Sequence, residues 1–130
     1  MVIRAKLEQE LAQMSKEEAK EFLTEFKIAA SAKDRVISKS YELMGLISFF
    51  TVGEDEVRAW TIKKGTQAID AAEVIHTDLK KGFIRAEVLS YDDFMIAGSM
   101  AEARKQGNVR LEGKTYMVSD GDIINVRFNV

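Results

Sequence analysis

Residues 46–62 read LISFFTV-GED-EVRAWTI, and this stretch decides the fold of the chain. Its first seven residues are strongly apolar and include two adjacent phenylalanines. Gly53-Glu54-Asp55 is typical of a turn, and residues 56–62 return to strand-forming side chains. Two such runs separated by a short glycine-containing segment predict a β-hairpin. The pattern before Gly45 is helical, so the chain changes from helices to strands at this point.

Residues 1–45 predict three short helices. The first has the i, i+4, i+7 spacing of one helix face, at Leu7, Leu11 and Met14. Residues 15–18, Ser-Lys-Glu-Glu, form a capping box, in which the serine and the last glutamate each bond the other's backbone N–H at a helix start. Ser31 begins the third helix, whose apolar stripe is Val36, Ile37, Tyr41 and Met44. Gly45 is suited to end it.

The remainder of the chain predicts a short helix after Gly65-Thr66 and a half-buried strand over residues 83–89. In that strand Ile84, Ala86 and Val88 face one way, whereas Arg85 and Glu87 face the other. A second capping box at Ser99-Met100-Ala101-Glu102, with Gly107 as its C-cap, predicts another short helix.

A final strand is predicted after the turn Asp120-Gly121-Asp122. It alternates Ile124, Val126, Phe128 and Val130 with polar residues up to the last position. Helices and strands are segregated along the chain, which favours an α+β fold.

Composition excludes several classes of function. The chain has 130 residues, of which 46% are hydrophobic and 31% charged, as in ordinary globular domains. A net charge of −2 gives no global attraction for nucleic acid or an anionic membrane. The absence of cysteine excludes disulfides, cysteine zinc sites and thiol catalysis, and it fits a reducing cytoplasm. No apolar run approaches the roughly 18 residues of a membrane span, so no membrane association is expected.

Gly107…Gly113-Lys114-Thr115 resembles a P-loop but fails on spacing and context. The glycine that G-x-x-x-x-G-K-[ST] requires falls at Asn108. A P-loop also opens a helix that faces the phosphates, whereas Thr115 leads into strand-like residues and a turn. We interpret residues 112–114 as a β-turn.

Single polar residues give weaker signals. His76 is the only histidine, so we weigh a functional polar contact against a ring that bonds local backbone. Asp92-Asp93 and Asp120/Asp122 lack the spacing of a calcium loop, and we interpret them as cap and turn residues, with Ser90 as the cap. Trp60 is expected to pack in the core.

Basic side chains cluster at Lys80, Lys81 and Arg85, and also at residues 63–64 and 104–110. Phosphate contact with RNA and a solvated face both explain the first cluster, and a solvated face is favoured for the others.

From residue 56 onward the chain resembles the TGS domain, which has a β-grasp (ubiquitin-like) fold. The residues that carry this resemblance are Gly65-Thr66, Ala72, Ile75-His76-Thr77-Asp78 and Asp120-Gly121-Asp122-Ile123-Ile124. A more specific resemblance is to the C-terminal region of the YchF/Obg-like P-loop ATPase family. It rests on RAWTI at 58–62, IHTD at 75–78, KGFIRAEV at 81–88, RLEGK at 110–114 and RFNV at 127–130, and it extends back to AKLE at 5–8.

The resemblance implies a division into residues 1–45, a helical lead-in that forms the tail of the parent's nucleotide-binding domain, and residues 46–130, a TGS β-grasp domain. The parent is expected to bind ATP or GTP with Mg²⁺, to hydrolyse ATP in preference to GTP, and to associate with ribosomes and RNA in the cytoplasm. The family's P-loop, switch segments, adenine-selecting Asn-x-x-Glu and coiled-coil insertion are not in this sequence. The chain is therefore expected to be a C-terminal fragment that is not an enzyme and holds no nucleotide or metal.

Three functional hypotheses follow. The chain is a ribosome- or RNA-binding module, with His76, Lys80, Lys81 and Arg85 as the candidate contacts; or it is a structural domain that docks on the parent ATPase core; or it is an autonomous enzyme. The third is the weakest, since no nucleophile–base pair, metal cluster or phosphate loop is evident.

Overall fold

The computed structural model describes residues 1–129 and divides the chain into two compact units. The first unit is Met1–Met44, and the second begins at Gly45. The division coincides with the change from helical to strand periodicity. The prediction that the last strand reaches Val130 lies outside the described residues at that position, and the strand itself ends at Phe128.

The first unit contains the three predicted helices, α1 (Ala5–Ala12), α2 (Lys16–Glu25) and α3 (Ala32–Leu43). The capping box before α2 is confirmed, because Ser15 N donates to Glu18 Oε2 at 2.9 Å and Glu18 N donates to Ser15 Oγ at 3.2 Å. Ser31 caps α3 by accepting from Asp34 N. Gly45 follows α3 with a φ of +68°, a conformation that glycine adopts without strain, so it ends the helix as predicted.

The second unit is built on a five-stranded mixed sheet, consistent with an α+β fold. Its strands are β1 (Leu46–Val52), β2 (Val57–Lys63), β3 (Phe83–Leu89), β4 (Arg110–Glu112) and β5 (Ile123–Phe128). They lie in the order β2-β1-β5-β3-β4, with β1 and β5 parallel and the other neighbours antiparallel. The predicted hairpin is confirmed as β1–β2, with an unbroken register from Leu46↔Lys63 to Val52↔Val57.

Four short helices cover the sheet, namely α4 (Ala68–Ile75), α5 (Thr77–Lys81), α6 (Tyr91–Ala97) and α7 (Met100–Lys105). On one face, α4 and α5 pack over a core centred on Phe49, Ala86 and Val88. On the other face, α6 and α7 cover a smaller cluster around Leu89 and Ile123. We call these the closed face and the second face, because α6 and α7 leave part of the latter uncovered.

Side-chain alternation in β3 departs from the prediction at its first residues. Ile84 was expected in the core with Ala86 and Val88, but it is exposed, and Phe83 is buried instead. The register between β3 and β5 shifts between Phe83 and Arg85, as in a β-bulge. An extra residue in one strand reverses the side-chain phase, and no periodicity rule applied to β3 alone reveals it.

Two further local details differ from expectation. Ser99 accepts from Glu102 N at 3.1 Å, but the reciprocal half of the predicted capping box is replaced by an ion pair between Glu102 and Lys105. Phe128, which the alternation placed in the core, is exposed near the end of β5. The Ser90 cap is confirmed, because its hydroxyl accepts from Asp93 N at the start of α6.

Candidate functional site

The uncovered part of the second face carries three arginines. Arg85 on β3 and Arg127 on β5 are register partners, and directly opposed residues of an antiparallel pair share a face. Arg104 reaches the same place from α7 through its bond to Glu87. We call Arg85, Arg104 and Arg127 the arginine face.

Glu87 lies at the centre of this face and is only 3% exposed. Its Oε2 accepts from Arg104 Nε at 2.8 Å, and its Oε1 accepts from Arg127 Nε at 3.1 Å. Asn125, opposite Glu87 in the register, also donates to Oε1 at 3.1 Å. A buried carboxylate is tolerated when its oxygens are saturated with donors in this way.

The hydrogen bond from Arg104 lowers the pKa of Glu87 below its ordinary value of 4.5, and the bond from Arg127 adds to the effect against the opposing influence of burial. Glu87 is therefore ionised across the neutral range and holds two guanidinium groups in fixed positions. Their other nitrogens stay accessible, since about half of each arginine side chain is exposed.

Arg85 differs from its two neighbours because it makes no ion pair within residues 1–129. It lies directly opposite Arg127, and like charges in opposed positions destabilise a sheet. The face thus presents three guanidinium groups against one carboxylate. An anionic ligand would relieve this imbalance.

The structure places the four residues predicted from the sequence on opposite sides of the sheet. Lys80 and Lys81 are on α5, whose Leu79 packs against the core of the closed face, whereas Arg85 is on the second face. Lys80 Nζ pairs with Asp70 at 3.3 Å and also with Glu73, and the hydrogen bond from Glu73 raises its pKa. Lys81 is exposed.

His76 caps α5, since its Nδ1 accepts from Asp78 N at 3.0 Å. That bond uses the lone pair of the ring nitrogen, as expected for a histidine that bonds local backbone. The opposite imidazole nitrogen remains available, because the side chain is largely exposed.

Sequence reasoning missed Glu87, Arg104 and Arg127 as members of one site. Glu87, Asn125 and Arg127 were each placed on the outward side of a strand; the face is correct, but Glu87 is buried there. The missing information was that β3 and β5 are neighbours and that α7 folds back over them. The alternation of polar residues in β3 and in β5 was visible in the sequence. Only the strand order shows that these residues lie next to each other.

A second polar network holds the loop before β5. Tyr116 OH donates to Asp122 Oδ2 at 2.7 Å, and Ser119 N donates to the same oxygen at 2.9 Å. Burial, reinforced by the Asp122 carboxylate, raises the pKa of Tyr116. Asp120 accepts from Ser48 N, so both aspartates of the predicted turn have structural roles. The bond between Asp120 and Ser48 secures the turn to β1.

The P-loop-like segment forms a turn. Tyr116 N donates to Gly113 O at 3.2 Å, and the residues that follow form a bridge and a second turn with no helix. Phosphates would therefore meet no helix N-terminus here. Within the described part of the chain, no three His, Cys, Asp or Glu side chains are grouped to hold a metal ion. Among residues 1–129 no helix is long and apolar enough to cross a membrane.

Trp60 lies on the closed face, as predicted. Its ring stacks with that of Phe49 at a centroid distance of 6.4 Å, and its Nε1 donates to Thr51 Oγ1 at 2.9 Å. The Arg58 guanidinium lies 4.2 Å above the ring.

The fold and the arginine face define an α+β domain with a cationic sheet surface, and comparison with known proteins gives its family. Residues 46–129 match the family model YchF-GTPase_C, described as "Protein of unknown function (DUF933)". The chain belongs to the YchF family and corresponds to the C-terminal region of its members.

Relatives and solved structures agree with this assignment. The chain is 52% identical to "Ribosome-binding ATPase YchF" of Bacillus subtilis over its full length, and 50% identical to "Obg-like ATPase 1" of Gallus gallus over 95% of its length. It spans 36% and 31% of these relatives, about a third of their length. The "Structure of the Schizosaccharomyces pombe YchF GTPase" matches 96% of this chain and 33% of that one, with a TM-score of 0.74 and 37% identity.

Proposed function

We propose that this chain is a TGS-type module that binds ribosomal RNA through the arginine face. The observation that carries the proposal is that Arg104 and Arg127 both bond the Glu87 carboxylate on an uncovered sheet surface, with Arg85 directly opposite Arg127. The names of its relatives support a ribosomal partner, since several are ribosome-binding ATPases.

The assignment of a β-grasp fold belongs to the same proposal. The order β2-β1-β5-β3-β4, with a parallel central pair and α4 packed across one face, is the arrangement expected of a β-grasp sheet. In that arrangement the helix-free part of the sheet is the surface available for ligands.

Guanidinium groups are suited to phosphate. Each presents a planar fork of donors that matches two phosphate oxygens, and it stays charged at every physiological pH. Glu87 orients Arg104 and Arg127 through their Nε atoms, which leaves their terminal nitrogens to face a ligand. Arg85 adds a third cation without a competing partner in the described chain. Such contacts release counterions, so affinity should fall steeply with salt.

Co-sedimentation with ribosomes over a salt series tests the proposal. We expect wild type to pellet at low salt and Arg85→Ala to lose several-fold in affinity with a shallower salt dependence, by about one unit of slope. Lys80→Ala is the matched control, because it removes one exposed cation from the side of α4 and α5, where Asp70 and Glu73 already neutralise it. Equal loss in both variants, or no pelleting of wild type at low salt, would exclude the arginine face.

Of the remaining sequence candidates, His76 and Lys81 form a second, weaker contact surface in the proposal, whereas Lys80 is already neutralised by Asp70 and Glu73. Lys81 is the best placed of the three, because it is exposed and makes no ion pair within residues 1–129. Lys81→Ala in the same assay separates the two surfaces.

A second candidate function is docking on the nucleotide-binding core of a longer protein. It is favoured by the first unit, which buries Leu11 and Ala32 but exposes Val36, Ile37, Leu43 and Met44. A cavity of about 880 Å³ lies among α1, α2 and α3, with Leu11, Leu23 and Ile28 in its lining. Exposed apolar surface of this kind usually meets a partner. Titration with the separately produced nucleotide-binding part of a relative should show saturable binding that Leu43→Ser weakens.

We further propose that ATP or GTP with Mg²⁺, and its hydrolysis, belong to the part of the longer relatives that this chain does not span, and that the module works in the cytoplasm. The turn at residues 113–116 supports the absence of hydrolysis by the chain itself, because it offers no phosphate loop. An ATPase assay of the chain should give no turnover above buffer. Measurable turnover would support the autonomous enzyme instead.

A further inference from the structure

Strand β2 forms one edge of the sheet and pairs only with β1. Edge strands are usually protected by proline, by a bulge or by an inward-pointing charge, because their free backbone groups pair readily with another strand. β2 has neither a proline nor a bulge, since the chain contains no proline and the β1–β2 register is unbroken over seven pairs. Its edge is thus suited to pairing.

The backbone groups that face outward can be identified from the hydrogen bonds at the two ends of the hairpin. Gly53 N donates to Glu56 O, and Lys64 N donates to Gly45 O, both at 2.8 Å. Hydrogen-bonded pairs alternate along an antiparallel ladder, so the groups of residues 58, 60 and 62 face β1. Those of residues 57, 59, 61 and 63 face outward. Lys63 offers only its N–H, because its carbonyl accepts from Thr66 N at 3.1 Å.

The side chains around these groups are small or exposed. Val57 is 67% exposed, and Ala59 and Thr61 are also exposed. An approaching strand would therefore meet no bulky obstacle, and it would cover an apolar valine that water now contacts.

Charge at the two ends of β2 selects the partner. Glu54, Asp55 and Glu56 precede the strand, and Lys63 and Lys64 end it. None of these five residues forms an ion pair within the described chain. An antiparallel partner must therefore begin with acidic residues and end with basic ones. β2 itself has this pattern, so the strand is its own complement.

We propose that two copies of this chain associate through antiparallel pairing of their β2 edges, which joins their sheets into one. A register centred on Trp60 pairs Val57 with Lys63 and Ala59 with Thr61 of the second copy, and all four of these residues have outward-facing groups. Glu56 then lies opposite Lys64 of the second copy in a close pair, with about 4.5 Å between their Cα atoms. The same surface patch serves both copies, as two-fold symmetry requires.

The register also places the single tryptophan beside the two-fold axis. Trp60 is half-buried in one copy, and its neighbour across the axis is Trp60 of the other. Intrinsic fluorescence therefore reports on association directly. The contact is small, so it belongs to the weak, concentration-dependent class of interfaces.

Light scattering of the whole chain over a concentration series, with tryptophan fluorescence alongside, tests this association. We expect the mass to rise towards twice the 14.6-kDa monomer mass and the emission to shift with it. Ala59→Pro should abolish the rise, because it removes an outward N–H at a position where an edge strand accepts proline. Ala59→Thr, which keeps the N–H, should still dimerise.

A charge exchange keeps the test decisive if Ala59→Pro fails to fold. Lys63→Glu/Lys64→Glu and Glu54→Lys/Glu56→Lys each bring like charges together at both ends of the contact, so each alone should dimerise at least about tenfold more weakly. Mixed in equal amounts, the two variants should form a heterodimer.

Three results would overturn the proposal. They are a wild-type chain that stays monomeric throughout, a folded Ala59→Pro that still dimerises, and a mixture of charge variants that recovers nothing. The second result would instead indicate association through the exposed apolar residues of the first unit, which these substitutions leave unchanged.

Discussion

The two faces of the sheet use the same strands for opposite purposes. On the closed face, Phe49, Ala86 and Val88 are fully buried beneath α4, and their contribution is apolar and indifferent to salt or pH. On the second face, Arg85 and Arg127 lie side by side and exposed, and of the two only Arg127 is paired with a carboxylate, that of Glu87, among the described residues. The apolar core of the closed face supplies most of the stability, so the second face can carry like charges that repel each other.

The largest effect should come from the closed face. Phe49→Ala removes a fully buried ring that stacks with Trp60, so we expect a loss of about 3–5 kcal/mol in unfolding free energy. Denaturant titration measures it. Ile84→Ala, in an exposed apolar residue of the neighbouring β3, is the matched control and should cost little. Equal losses in both would mean that the core is not where the structure places it.

Glu87→Gln should give the next largest effect. The amide places a donor against an arginine N–H and weakens the attraction to two guanidinium groups. We expect a loss of about 1–3 kcal/mol, less than for a fully buried ion pair because both arginines are half exposed. Thermal unfolding of the variant beside wild type checks this, and Glu112→Gln serves as a control on the adjacent strand. An unchanged stability would mean that Glu87 does not organise the arginine face.

Wild type and Glu87→Gln should also differ in how their stability responds to pH. Because the folded-state pKa of Glu87 is lowered, its contribution to stability is fully present above the unfolded value near 4.5 and is lost as the pH falls through the folded-state pKa. The gap in unfolding free energy between wild type and Glu87→Gln should therefore stay constant from neutral pH to about 4.5 and narrow below that value. A gap that stays constant below pH 4.5 would contradict the lowered pKa.

The smallest effect, and the one opposite in sign, should come from Arg85→Ala. Removing one of two opposed arginines relieves repulsion, so stability should rise by up to about 0.5 kcal/mol at low salt. Added salt should reduce the gain, since it screens exposed charges. Paired with a loss of ribosome binding, this gain would show that Arg85 is kept for a ligand. A loss of stability would mean that Arg85 has a structural partner.

Local signals in the sequence predicted most elements. The capping box at residues 15–18, the Ser31 and Ser90 caps, Gly45 and the hairpin at residues 46–62 are all confirmed, because each depends on interactions within a few residues of chain. The phase of Ile84 was wrong because a register shift against β5 decides it. Local rules have no access to such a partner strand.

The candidate site was only partly predictable. Arg85 was named from the sequence as a candidate, Arg104 belonged to a basic cluster for which a solvated face was favoured, and Arg127 was not a candidate, because 42 residues separate it from Arg85. Lys80 and Lys81 were grouped with Arg85 by nearness in sequence, yet α5 packs on the closed face and Arg85 lies on the second face. Nearness along the chain is a poor guide where a helix is followed by a strand.

The sequence by itself determined the change from helices to strands at Gly45, the helix caps, the hairpin and the family, because these depend on short segments and their residue types. Only the tertiary structure decided that Glu87 is buried and bonded by Arg104 and Arg127, and that Lys80 is neutralised by Asp70 and Glu73. It also decided that β2 lies at an edge of the sheet. Strand order and long-range pairing bring together residues far apart in the chain, and the charge balance of a surface exists only after that assembly.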